Sequence, residues 1–227
     1  MIPFLRASFT IAAKDLRSEF RTKEAFNASL SFSVVILVLF SFAFDPTAEQ
    51  MQTISGGLLW LVFSFASALS LNRSFARELQ NDCLDALVSA PVPVAAIFLG
   101  KALANYLVLL MVEITALGVF ALFYDTHFSR QLWPILLVIA LGTWGMTVIG
   151  TTFSALTVNL RMREVMLPTL VYPMLVPALM AAMQLTTVLM NGTPLGGDNL
   201  LWLRLLAGFD LIYTLLAMVF IDIVVVG

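Results

Sequence analysis

The sequence predicts an all-α integral membrane protein: six transmembrane helices preceded by an amphipathic helix lying at the membrane surface. Three observations predict it. Hydrophobic residues make up 60% of the 227 residues and charged residues only 11%, against roughly 25% charged in a soluble domain, and a globule of this size cannot hide so much apolar surface from water. Charge-free apolar runs recur six times, each near the about 20 residues that a bilayer core requires. Lys and Arg gather in alternate connecting segments, as short cytoplasmic loops of membrane proteins do. The whole chain, 1–227, reads as a single transmembrane domain.

The first element precedes the spans. Residues 3–23 are too charged to cross, yet at 100° per residue Leu5, Phe9, Ala12, Leu16 and Phe20 fall within an arc of about 80°, with Arg6, Lys14, Arg17 and Arg21 on another side. This pattern predicts an interfacial helix in the cytoplasmic headgroup layer. The spans follow at Ala25–Phe44, Ile54–Leu71, Ala102–Phe123, Leu132–Leu156, Val165–Met190 and Leu205–Val226. With the N-terminus cytoplasmic, that side receives Arg6, Lys14, Arg17, Arg21, Lys23, Arg73, Arg77, Lys101, Arg161 and Arg163, leaving Arg130 and Arg204 outside, a split of 10 to 2. Six crossings return the C-terminus to the cytoplasm.

The connection between spans two and three, residues 72–101, is the most distinctive. Asp82 is suited to cap a short helix with Asp85 at its third position, a weaker form of the capping box. Leu84, Leu87 and Val88 then share one face, and Pro91 ends the helix. A capped helix with an apolar stripe in a cytoplasmic loop suits a docking partner; the alternative is a loop helix lying on its own bundle. In the fifth span Pro168, Pro173 and Pro177 each remove a backbone donor, so a kink or break is expected there. In the fourth, Thr143, Thr147, Thr151 and Ala155, with Gly142, Gly145 and Gly150, form a small-residue packing stripe. Met162, Met166, Met174, Met180 and Met183 read as helix packing rather than metal ligands.

Three carboxyls fall within spans. Glu113 sits near the middle of the third, where an ionised carboxylate is costly, so it is the first candidate for a functional intramembrane group, against the alternative of a neutral side chain bonded to a neighbouring helix. Asp210 falls near the outer end of the sixth span and Asp222 near its inner end, where water is closer. The lone histidine, His127, and lone cysteine, Cys83, give no metal-site pattern and no disulfide. The net charge of −2 gives no nucleic-acid footprint. The sequence holds no Gly-x-x-x-x-Gly-Lys-Ser/Thr loop, so the chain is expected to be non-catalytic and not to hydrolyse ATP alone. Nor does the N-terminus show a leader with a cleavage site, so none is expected to be removed.

The order of interfacial helix, six spans and a charged loop after span two resembles ATP-binding-cassette permeases of the ABC-2 exporter type, whose loop pattern is matched by Arg77-Glu78, Leu84-Asp85-Ala86-Leu87 and Pro91. Gly56-Gly57-Leu58-Leu59-Trp60, Phe75-Ala76-Arg77-Glu78-Leu79-Gln80, Pro91-Val92-Pro93 with Lys101, and Leu156-Thr157-Val158-Asn159-Leu160-Arg161 narrow the resemblance to the CcmB family, over nearly the whole chain. The loop departs from the family pattern at Asp82-Cys83-Leu84-Asp85, where a small residue and Leu-Glu are usual. The resemblance implies a permease subunit in a bacterial inner membrane, with Arg77, Glu78, Asp82, Leu84, Asp85, Leu87, Val88, Pro91, Arg161 and Arg163 at the contact with an ATPase. It further implies two copies of this chain, two CcmA-like ATPase subunits carrying Mg-ATP, a CcmC-like haem-handling membrane subunit, a small CcmD-like subunit and a CcmE-like periplasmic haem chaperone. Haem b would be cargo of that complex. Two other readings compete: an ABC-2 permease for a lipid, glycan or drug, and an ATP-independent proton-coupled carrier or assembly factor using Glu113 as a relay.

Overall fold

The computed structural model describes residues 2–44, 49–72, 92–124, 131–157 and 163–226. These form seven α-helices: α1 (Ile2–Thr22), α2 (Glu24–Ala43), α3 (Glu49–Leu71), α4 (Val94–Phe123), α5 (Leu132–Thr157), α6 (Arg163–Met190) and α7 (Asn199–Val226). Helices α2 to α7 each contain a stretch long and apolar enough to cross a bilayer, six in all. Helix is the only way an isolated segment satisfies its own backbone in hydrocarbon, which is why uniformly apolar sequence folds this way here.

Lipid gives no hydrophobic reward for bringing helices together, so association rests on close packing and on polar bonds between helices. Both are present. The Ser29 hydroxyl donates to the Ala66 carbonyl (3.0 Å), joining α2 to α3. Trp60 Nε1 donates to Thr186 Oγ1 (2.8 Å) and the Tyr172 hydroxyl to the Ser64 carbonyl (2.8 Å), joining α3 to α6. Asn105 Nδ2 donates to Thr151 Oγ1 (3.0 Å) between α4 and α5, and Ser154 to the Leu71 carbonyl (3.0 Å) between α5 and α3. Helix α5 is the hub, packing on α3, α4, α6 and α7.

The small-residue stripe expected on α5 performs that packing. Thr143, Thr147 and Thr151 are fully buried, the Trp60 ring lies over Gly142, and the Leu71 side chain lies over Gly150. Outward faces stay apolar, including Val35, Leu39 and Phe42 on α2 and Leu211, Leu215 and Val219 on α7, which suits contact with lipid or another membrane subunit.

Several boundaries differ from expectation. α4 begins at Val94, eight residues before the expected third span, so the last part of the 72–101 connection is helical and Lys101 lies inside the bundle. α7 begins at Asn199, six residues before the expected sixth span. α6 is continuous through Pro168, Pro173 and Pro177, so of the kink or break expected there, no break occurs. Met166, Met174 and Met180 on α6 are exposed rather than packed in the core.

α1 lies against α4. Its inner face is Ser8, Ala12 and Glu19, all buried; a side chain at Gly100 would meet the Ser8 carbonyl at 2.7 Å, so only glycine permits this approach. The Lys101 ammonium, 1% exposed, meets Asp15 at 3.3 Å and fixes the crossing. Leu5, Phe9 and Phe20 are exposed on another face, leaving an apolar surface free to enter a bilayer interface.

Candidate functional site

The polar groups buried within the bundle converge on α5 from both flanks. Glu113 on α4 is fully buried. The Thr143 hydroxyl of α5 donates to its carboxyl and also lies 2.6 Å from the Ile139 carbonyl one turn back. The second carboxyl oxygen of Glu113 has no partner among the described residues. On the opposite flank Asp210 of α7, 5% exposed, has neither oxygen partnered among them, and a Cβ on Gly145 would stand 2.6 Å from its Oδ1. Asp210 therefore occupies the space that glycine leaves on α5.

These groups share one depth. Glu113, Thr143 and Asp210 stand ten or eleven residues from the Phe123, Leu132 and Asn199 ends of their helices. At 1.5 Å per residue that is about 15–17 Å, near the middle of a hydrocarbon core. Tyr106 stands seven residues, about two turns, before Glu113 on α4. Its ring meets Trp144 edge-on at 5.3 Å, and Trp144 Nε1 donates to Thr214 Oγ1 (2.9 Å) across to α7. Glu113 and Asp210, far apart in sequence, are thus two carboxyls on either side of one helix. The expectation that Asp210 lies near water at an outer helix end is corrected: the helix starts earlier than the last charged residue suggested, so Asp210 is a mid-helix, buried group.

Of the other residues singled out from sequence, Arg77, Glu78, Asp82, Leu84, Asp85, Leu87, Val88, Pro91 and Arg161 lie outside the described residues, as do Cys83, His127 and Met162. Arg163 opens α6 and Asp222 lies in the last turns of α7. Among the described residues no group of three or more His, Cys, Asp or Glu could hold a metal ion. The sequence reading missed Asp15 and Tyr106, and it used Lys101 in the charge tally and the family pattern without foreseeing its burial against Asp15. A cation seven residues into an apolar helical run was the available signal for Lys101, since such a cation needs a partner.

The residues of the Gly56–Trp60 motif join α3 to α6. A side chain at Gly56 would collide with the Met183 carbonyl at 2.6 Å and Thr187 Oγ1 at 2.3 Å, and Trp60 makes the bond to Thr186. A cleft of about 410 Å³ opens beside them, between α2, α3 and α6, lined in part by Phe40, Gly57, Leu61 and Gln184.

Comparison with known proteins bears on what such a bundle does. The chain is similar to a heme exporter protein B of Rhodobacter capsulatus, 33% identical over 175 residues, which cover 77% of this chain and 80% of that protein. It is 29% identical over 204 residues to a heme exporter protein B of Pseudomonas aeruginosa, covering 90% and 91% of the two chains. A heme exporter protein B of Paracoccus denitrificans is 32% identical over 167 residues, covering 73% and 76%. The family model described as CcmB protein matches residues 6–223, from within α1 into the last turn of α7, and the chain therefore belongs to the CcmB family.

Proposed function

We propose that this chain is the permease subunit of an ABC transporter for haem in cytochrome c maturation. The observation that carries the reading is the match over most of their length to proteins named heme exporter protein B, together with the CcmB family match. The subunit is non-catalytic. With no phosphate-binding loop in its sequence, ATP is hydrolysed by a CcmA-like partner that docks on Asp82–Ala90, with Arg77, Glu78, Arg161 and Arg163 around the contact. The chain resides in the bacterial inner membrane with both termini cytoplasmic, which places 10 of its 12 Lys and Arg on that side. Two copies pair, and CcmC-like, CcmD-like and CcmE-like proteins complete the assembly, the membrane partner supplying the haem ligands.

In this reading the connection after α3 receives the motion of nucleotide-driven closure and passes it to α4, whose first residue, Val94, follows directly on Pro93. α1 moves with α4 because Asp15 holds Lys101. A rigid α4 then carries the displacement to the level of Glu113 and Thr143, where α4 and α5 are joined. ATP hydrolysis is thereby used to release the haem-loaded chaperone, and haem is cargo of the complex. The test is complementation: the chain should restore covalently haem-loaded c-type cytochromes in a bacterium lacking its own CcmB, and affinity purification should recover the ATPase. Recovery of the ATPase without restored cytochromes would point to a different cargo, and absence of both would reject the assignment.

A further inference from the structure

The exposed residues of a membrane-spanning bundle meet lipid unless something else covers them, and hydrocarbon offers no hydrogen bonds. On α2 the exposed Val35, Leu39 and Phe42, and on α7 every exposed residue from Leu211 to Phe220, are apolar and suit that contact. α6 differs. At 100° per residue its exposed Pro173, Val176, Pro177, Met180 and Gln184 form one outward ridge, which the packing on α3, α5 and α7 leaves bare.

Two polar groups on this ridge lack what they need. Pro177 has no N–H, so the Pro173 carbonyl one turn earlier has lost its helical donor. Gln184 is exposed, and its amide makes no hydrogen bond among the described residues. Within the apolar stretch Met166–Met190, Pro173 stands seven residues from one end and Gln184 six from the other, about 10 and 9 Å deep at 1.5 Å per residue. A carbonyl and an amide at those depths are costly against hydrocarbon and are satisfied by a neighbouring helix. Such a helix also finds room: the cleft of about 410 Å³ lies beside Gln184, and in it a Cβ on Gly57 would meet nothing within 4 Å.

The donors and acceptors of the ridge identify the kind of helix. Two copies of one chain inserted with the same orientation are related by a two-fold axis along the membrane normal, so each residue near that axis meets its own counterpart at the same depth. At the level of Pro173 carbonyl would then face carbonyl, and the side chains of Pro173, Val176 and Pro177 have no hydrogen to donate. A helix of different sequence, with a hydroxyl, amide or indole donor at that depth, satisfies the site. We propose that the outward ridge of α6, from Pro173 to Gln184, seats a transmembrane helix of a different membrane subunit, which donates a hydrogen bond to the Pro173 carbonyl and presents a polar side chain to Gln184. This rests on the reading above, in which further membrane proteins complete the assembly, and names the face on which one of them sits.

The full chain is co-expressed with the CcmC-like and CcmD-like membrane subunits and purified in mild detergent through a tag on this chain, and the membrane subunit retained is measured over a dilution series. Pro177→Ala returns a donor to the Pro173 carbonyl and Gln184→Leu removes the amide, both changes that a lipid-facing helix accepts without loss. Each bond between membrane helices is worth about threefold in affinity, so the double variant should lose one membrane subunit at about tenfold higher concentration than the wild type, while its own melting temperature holds or rises. Met180→Cys in a Cys83→Ser background, labelled with a benzophenone, should photo-crosslink to that subunit in membranes. Undiminished retention by the double variant, or an adduct at position 180 to a second copy or to lipid alone, overturns the proposal and leaves the haem-transporter reading in place. A wild-type chain that retains neither membrane subunit overturns both.

Discussion

At the scale of single residues, the contact between Gly142 and Trp60 shows packing outweighing hydrogen bonding. A methyl group on residue 142 would lie 2.1 Å from the Trp60 ring, and overfilling a packed core costs about 1–3 kcal/mol. The Trp60–Thr186 bond, which also holds that ring, belongs to a class worth only about 0.6 kcal/mol between membrane helices. Gly142→Ala should therefore lower the melting temperature in detergent by clearly more than Thr186→Val, and the reverse order would refute this ranking. Glu113 is a gentler case. Glu113→Gln keeps the shape and a group able to bond Thr143, so assembly and cytochrome c maturation should both survive, as complementation would report; loss of activity with assembly intact would instead identify a proton relay. Glu113 was legible from sequence because an acid in the middle of an apolar run has few explanations. Asp210 was not, because Arg204 was taken to mark the end of a span, whereas an exposed arginine on the helix surface can extend its charge toward the headgroups while the helix continues past it.

At the scale of elements, every span was legible in the sequence, and the errors lie at the ends nearest charges. The reading stopped α4 at Lys101 because an ammonium is unwelcome in hydrocarbon; the structure resolves the difficulty by laying Asp15 of α1 beside it. That partnership could not be read from either segment alone, since the two residues are 86 positions apart. It also makes α1 more than a surface helix: periodicity identified its apolar face, but its packing on α4 depends on Gly100 and the ion pair. Bonds involving charged groups contribute about 1.5–3 kcal/mol, and breaking one partner of a buried pair costs more than replacing both. Asp15→Asn and Lys101→Met should each destabilise the detergent-solubilised protein, whereas the double variant should recover part of the loss, giving a coupling energy of about 1 kcal/mol or more in a thermal double-mutant cycle. Strict additivity of the two would show that the pair does not clamp α1. The prolines of α6 mark the opposite limit of sequence reading. They announce missing donors correctly, yet the helix runs unbroken through all three while packing on α3, α5 and α7 along one side.

At the scale of the whole molecule, orientation and coupling rest on the charge pattern and on family membership. Reporters fused after Asp45, Asp125 and Asp198 should read external and those after Asp82 and Arg161 cytoplasmic, because short loops rich in Lys and Arg stay inside; an external reading after Asp82 would invert the whole assignment. The loop itself gives the sharper test. On helical spacing Leu84, Leu87 and Val88 would share one apolar stripe, with Pro91 and Pro93 to stiffen the return to α4. If that stripe sits in a groove of the ATPase, Leu84→Lys with Leu87→Lys buries two unpaired charges at the contact, at a cost of several kcal/mol. The same two lysines add to the positive charge of a cytoplasmic loop, so they reinforce insertion instead of opposing it. The double variant should accumulate in the membrane at near-normal levels and still pair with its own copy, yet lose the ATPase on gentle purification and fail to support cytochrome c maturation. Copurification of the ATPase in normal amounts would remove Asp82–Ala90 from the coupling path and leave the remaining cytoplasmic connection, around Arg161 and Arg163, as the place to seek it.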